Sequence, residues 1–120
     1  MSRVALLGLP DDLAHCLTQL LRAEAHQVTR KTYLQDVERG PKPQAVFISG
    51  DSAEFCKTIA LLRQRDPKLP VVVVTRQPGT KHWLDALEAG ATDYCGAPFE
   101  RIQVRWMMES LALAERQTAA

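Results

Sequence analysis

Residues 71–74 of this chain are four valines in a row, preceded by Leu69-Pro70 and followed by Thr75. Successive side chains of a strand point to opposite faces, so an unbroken apolar run leaves no face for water. Such a strand is covered on both sides, as the central strands of parallel sheets are. The rest of the chain must therefore supply layers for both faces of a sheet.

The pattern on either side does so. Arg3 to Leu7 is a short apolar run followed by Pro10, Asp11 and Asp12, which reads as a buried strand handing over to a helix with Leu13, Leu17, Leu20 and Leu21 at helical spacing. His26 to Thr32 alternates weakly and predicts a second strand; Tyr33 to Arg39 allows about two turns of helix before Gly40-Pro41 stops it. Ala45 to Ile48 is the third strand. Ala53 to Arg65, with Phe55, Ile59, Leu61 and Leu62, is a helix ending at Asp66-Pro67. Beyond the valines, Thr80 to Ala89 is helical and stops at Gly90, Thr92 to Cys95 is a fifth strand, and Phe99 to about Arg116 is a closing helix, with Gln117 to Ala120 frayed.

The alternation is (βα)5 with short connections, which demands right-handed crossovers and a mostly parallel sheet with helices on both faces. It excludes all-α and all-β folds. Five strands and five helices in 120 residues predict an α/β, flavodoxin-like order 2-1-3-4-5, in which ligands sit beyond the C-terminal ends of the central strands. A chain of this length, 46% apolar, makes one domain, residues 1–120, with a self-sufficient core.

Fifteen Lys and Arg against fourteen Asp and Glu leave a net charge of +1, so no bulk attraction to nucleic acid or anionic lipid is expected. The run Val4 to Leu9 ends at Pro10, too short for a membrane span or a signal-peptide core, which makes a cytoplasmic protein the expectation. Cys16, Cys56 and Cys95 are odd in number and in no CxxC pairing, which argues for reduced thiols and against a disulfide framework or zinc site.

Three stretches are more specific. Leu69-Pro-Val-Val-Val-Val-Thr75, Ala86-Leu-Glu-Ala-Gly-Ala-Thr-Asp-Tyr94 and Ala97-Pro-Phe99 closely resemble the second half of response-regulator receiver (CheY-like) domains, and the element order extends the resemblance over the whole chain. The resemblance implies an acidic pair after the first strand to hold Mg2+, an Asp at the end of the third strand to accept phosphate, and a Lys before the Pro of the last loop. A hard dication needs carboxylate oxygens, and a transferred phosphoryl group needs positive counter-charge. Laid onto this chain, the acidic pair falls on Gly8 and Leu9, the acceptor on Ser49 and the Lys on Ala97. All the chemical positions are altered, while Thr75 and Tyr94 match the switch Thr/Ser and switch aromatic. The resemblance is thus to a degenerate receiver, a pseudo-receiver. It also implies a cis peptide at Ala97-Pro98.

Nearby charges invite other roles. Asp11 and Asp12 lie three residues past the acidic-pair position, where they complement the positive N-terminus of the first helix. Asp51 lies two residues past the acceptor position and is the alternative acceptor, without its catalytic partners. Arg76 stands where receivers usually carry a small residue. The expectation is that it folds over the pocket and pairs with Asp51 or a backbone carbonyl, replacing the Lys as a fixed counter-charge.

Other motifs are weaker. His15-Cys16 with Arg22 formally matches HCx5R, but the intervening residues hold no Gly and sit in a leucine-striped helix, not a phosphate-cradling loop. Gly8-Leu9-Pro10 is no dinucleotide fingerprint. His15, His26 and His82 share no metal-ligand spacing, so no metal or other cofactor is expected. In the last helix Val104, Met107, Met108 and Leu111 form a stripe for the sheet, while Ile102, Trp106 and Leu113 fall near the opposite side. A second apolar face predicts a partner. In receivers the surface of the fourth helix, fifth strand and fifth helix makes dimer and output contacts, and Trp83 belongs to the same region, either on that surface or filling core space.

The expected function is that of a protein-interaction module in two-component, phosphorelay signal transduction, not phosphorylated and not an enzyme. Its partner would be an output domain, a kinase or a second copy in a homodimer, with no nucleic acid or membrane bound by this domain. The alternatives are a receiver phosphorylated on Asp51 and a flavodoxin-like domain binding a small ligand between the first and third strands.

Overall fold

A computed structural model describes residues 3–39 and 41–119, with the side chains of all of these except residues 38 and 114–119. Val71, Val72, Val73 and Val74 are fully buried in it. They form β4 (Val71–Thr75), which pairs in parallel with β3 (Ala45–Ser49) on one side and β5 (Asp93–Gly96) on the other. β1 (Arg3–Leu7) joins β3, and β2 (Gln27–Lys31) joins β1, giving one parallel sheet of order β2-β1-β3-β4-β5. This is the expected flavodoxin-like topology.

The period-two alternation of the valines divides the core into two layers. Val72 and Val74, with Val4, Leu6 and Phe47, face α1 (Asp11–Ala23) and α5 (Arg101–Ala119), which contribute Leu13, Leu17 and Leu21 and the predicted stripe Val104, Met107, Met108 and Leu111. Val71 and Val73, with Ala5, Leu7, Val46 and Ile48, face α2 (Leu34–Glu38), α3 (Phe55–Arg65) and α4 (Thr80–Ala89) through Val37, Ile59, Leu62 and Ala86. Burying each such valine is worth roughly 1.5–3 kcal/mol, and the helices add their own buried leucines and methionines on both faces.

Helix boundaries moved where local hydrogen bonds compete. α3 begins at Phe55, not Ala53, because the Glu54 N–H donates to Ser52 Oγ (3.3 Å) and the Phe55 N–H to the Ser52 carbonyl (3.3 Å), closing a turn first. α5 starts at Arg101, two residues after Phe99, and continues through Ala119, past the expected fraying point at Gln117. α4 ends as expected: Gly90 takes the left-handed conformation (φ 110°), and its N–H and that of Ala91 donate to the Leu87 and Ala86 carbonyls. α2 is shorter than Tyr33 to Arg39. Gly40, half of its expected stop signal, and Ala120 lie outside the described residues. Among the described residues no helix is long and apolar enough to cross a membrane.

Candidate functional site

The C-terminal edge of a doubly wound sheet collects the loops that leave β1, β3, β4 and β5, and the altered positions all fall there. After β1, Gly8 adopts φ 65° with its N–H donating to the Lys31 carbonyl (2.9 Å). That left-handed step, natural for glycine, turns the chain so that Leu9 packs into the core at 4% exposure. The position to which the resemblance assigns a carboxylate is here part of the hydrophobic layer around Leu13 and Phe99. Asp11 and Asp12 follow in the first turn of α1, where the helix dipole favours them. Each also has an arginine: Asp11 pairs with Arg30, which reaches the Leu9 carbonyl as well (3.0 Å), and Asp12 pairs with Arg76. Desolvation raises the Asp12 carboxyl, but the Arg76 guanidinium outweighs it and holds the group below the usual carboxylate range.

β3 ends on Ser49, which is buried and accepts the Asp51 N–H through Oγ (3.2 Å). Gly50 between them is tightly enclosed. Its N–H donates to the Val74 carbonyl (2.8 Å), and a Cβ there would meet Val73 Cγ1 at 2.7 Å and His82 Cε1 at 2.8 Å. The turn sends the Asp51 carboxylate toward the end of β4. There it accepts the Thr75 hydroxyl (2.5 Å) and the Arg76 backbone N–H (3.1 Å), while Thr75 Oγ1 in turn accepts the Gln77 N–H (3.1 Å). Asp51 thus clasps the β3–α3 loop to the β4–α4 loop.

The expectation for Arg76 needs correcting. Its side chain does lie across the C-terminal edge, but the group that meets Asp51 is its backbone N–H, and the guanidinium reaches α1 to pair with Asp12. The backbone donor lies nearer to the Asp51 carboxylate, and the long side chain is left to cross to the first helix.

On the last two loops, Ala97 occupies the position expected of a lysine and donates its N–H to the Thr75 carbonyl (2.8 Å); the Ala97–Pro98 peptide is cis. Tyr94 on β5 is half-buried. Its hydroxyl accepts the Gly79 N–H (3.3 Å) and shares a hydrogen bond with His82 Nδ1 (2.8 Å). The His82 ring stands edge-to-face between Tyr94 (centroids 5.3 Å) and Phe55 (4.8 Å). His82 thus joins α3, α4 and β5, a placement that its spacing from the other histidines does not announce. The available signal was Gly50, whose missing side chain makes its room.

A magnesium ion does not fit the residues present. Gly8 and Leu9 offer no carboxylate, and Asp12 and Asp51 are engaged by Arg76 and Thr75. Among the described residues no group of three His, Cys, Asp or Glu is placed to hold a metal. The crevice between β1 and β3, lined by Gly8, Thr32, Leu34, Ser49 and Phe55 among others, holds about 150 Å3, below the roughly 300 Å3 at which small-molecule pockets begin. His15, Cys16 and Arg22 all lie within α1 and form no phosphate cradle. The three cysteines are free, and burial pushes the Cys95 thiol up to about 11.

The opposite face of α5 is exposed at Ile102, Trp106 (62%) and Leu113, and α4 adds Trp83 (44%), Leu84 and Leu87. Trp83 therefore points outward and does not fill the core.

No family model matches the sequence, and no curated protein is a significant match. Solved structures do match in fold. NtrX from Brucella abortus superposes with a TM-score of 0.87 at 16% identity over 98% of this chain, which spans only 29% of that protein. A response regulator receiver domain protein (CheY-like) from Methanospirillum hungatei gives 0.81 at 15% identity, with 98% of each chain covered. A response regulator from Thermotoga maritima gives 0.83 at 18%, covering 92% of this chain and 97% of that one. The chain therefore has the fold of receiver domains.

Proposed function

We propose that this receiver-fold chain is an atypical, pseudo-receiver module of two-component signalling that works by protein contact without aspartyl phosphorylation and is not an enzyme. The carrying observation is the Asp51 clasp. The nearest carboxylate to the acceptor position is already occupied by the Thr75 hydroxyl and the Arg76 N–H, while Ser49 and Ala97 offer neither acceptor carboxylate nor ammonium. With Leu9 in the core, phosphoryl transfer would lack both its metal and its counter-charge. Thr75 and Tyr94, which the resemblance assigns to the switch positions, are held by contacts within the chain.

The partner is an output domain, a kinase or a second copy, docked on α4, β5 and α5. Trp83, Ile102, Trp106 and Leu113 supply the apolar centre such an interface needs. If the partner is a second copy, Trp106→Glu converts dimer to monomer in sedimentation; an unchanged mass removes Trp106 from the interface.

Incubation with Mg2+ and acetyl phosphate, followed by intact-mass and peptide mapping, tests the phosphate-independent reading. No stable adduct is expected, and beryllofluoride leaves the Thr75 and Tyr94 amide resonances unmoved. An adduct on Asp51 overturns the reading and makes this a phosphorylatable receiver with a displaced acceptor.

A further inference from the structure

The β2 flank breaks the rule that a parallel sheet is covered on both faces. Register places Arg3 beside Gln27, Ala5 beside Thr29 and Leu7 beside Lys31, and alternation sends these six side chains to the side that carries α2. α2 is only five residues long; its Val37 packs with Ala5 and Leu7 and leaves the outer row uncovered. What remains is an open groove of about 300 Å3 lined by Arg3, Gln27, Thr29, Lys31, Val37 and Arg39, with Pro41 and Pro43 on its rim. Its described lining residues include three cations and no acid, in a chain whose net charge is only +1.

We propose that this groove binds an extended acidic segment of a partner protein. Gln27, which pairs with Arg3, and Lys31 are four residues apart on β2, so the two cations stand about 13 Å apart along the strand. Carboxylates at positions i and i+4 of an extended peptide have the same spacing. Arg3 is steadied over the floor by its Nε–H donated to Gln27 Oε1 (3.4 Å), and Thr29 between the charges is a side chain able to hydrogen-bond a passing main chain. The lining carries no aromatic ring, so it lacks the stacking surface that single-stranded nucleic acid uses. Charged residues on an edge strand also blunt it against aggregation, and that accounts for Arg30 and Lys31. It does not account for Arg3, which lies on β1, one strand in from the edge, or Arg39, which follows α2.

The groove lies apart from the α4–β5–α5 face and stands or falls independently of the signalling role proposed above. The test uses the full chain and a fluorescein-labelled nonapeptide of Gly, Ser and Thr with Glu at its third and seventh positions, in low-salt buffer. Fluorescence anisotropy is expected to show binding that the Gln counterpart of the peptide lacks. The triple variant Arg3→Gln, Lys31→Gln, Arg39→Gln weakens binding roughly tenfold or more, whereas the charge-matched Arg22→Gln, Lys57→Gln, Lys81→Gln does not. Amide shifts fall on Arg3, residues 27–31, Val37 and Arg39, and both variants keep the wild-type circular dichroism. The proposal is overturned by absent binding, by equal affinity for the Gln peptide, by equal loss in the two triple variants, or by shifts elsewhere. An oligothymidine that binds the same residues more tightly than the peptide also overturns it, and makes the groove a nucleic-acid site.

Discussion

β4 and β2 are five-residue strands of one parallel sheet, built to opposite rules. In β4 (VVVVT) every residue is buried; in β2 (QVTRK) only Val28 and Lys31 are even half-buried. The difference follows from place in the order. β4 lies between β3 and β5 with helices over both faces, so packing dictates every side chain and chemistry is confined to its end, at Thr75 and Arg76. β2 has one neighbour and a five-residue helix over one face. Packing claims only Val28 of its side chains and leaves the row Gln27, Thr29 and Lys31 open for the kind of surface proposed above.

The sharpest way to break this comparison is to put the same charge on both strands. Val73→Asp buries an unpaired carboxylate in the layer under α3 and α4 and is expected to cost upward of about 4 kcal/mol, enough to leave much of the chain unfolded. Thr29→Asp, beside Arg3 and Lys31, is expected to change stability by no more than about 0.5 kcal/mol. Urea unfolding of the two variants measures both. A loss at residue 29 comparable to that at 73 would make the β2 face core, not surface.

A smaller effect tests how far the rigidity of β4 extends past its end. Asp51→Ala leaves the buried Thr75 hydroxyl and the Arg76 N–H without their acceptor, and should cost about 1–3 kcal/mol and speed amide exchange at Arg76. Ser52→Ala, one residue on, gives up only a turn contact and should stay within about 0.5 kcal/mol. Unchanged exchange at Arg76 in the Asp51 variant would mean that the loop is held by β4 alone and that the clasp contributes little.

The same contrast explains what could be read from the residues alone. Where burial is complete the pattern is explicit. Four valines, Gly90 and the leucine and methionine stripes of α1 and α5 locate the sheet and its helices to within about three residues. At the site, the strand ends that carry Gly8, Leu9, Ser49 and Ala97 were legible from the apolar runs and from Ala97-Pro98-Phe99. The pairing of Arg76 with Asp12 was not. The partners are sixty-four residues apart, and two acids at a helix start are equally well explained by the helix dipole. Nor does any spacing announce His82, whose role depends on an enclosed Gly50 and on ring contacts with residues from two other elements. The open groove was likewise hidden, since it arises from a helix too short to cover a polar strand.

The burial of Leu9 sets what a charge at that strand end would cost. With Leu9 buried in the layer of Leu13 and Phe99, an aspartate there would place an unpaired charge in the core at a cost of several kcal/mol. Packing thus acts as a barrier at this strand end: a carboxylate introduced at position 9 by a single substitution would cost the fold before it could gain a cation or any other partner.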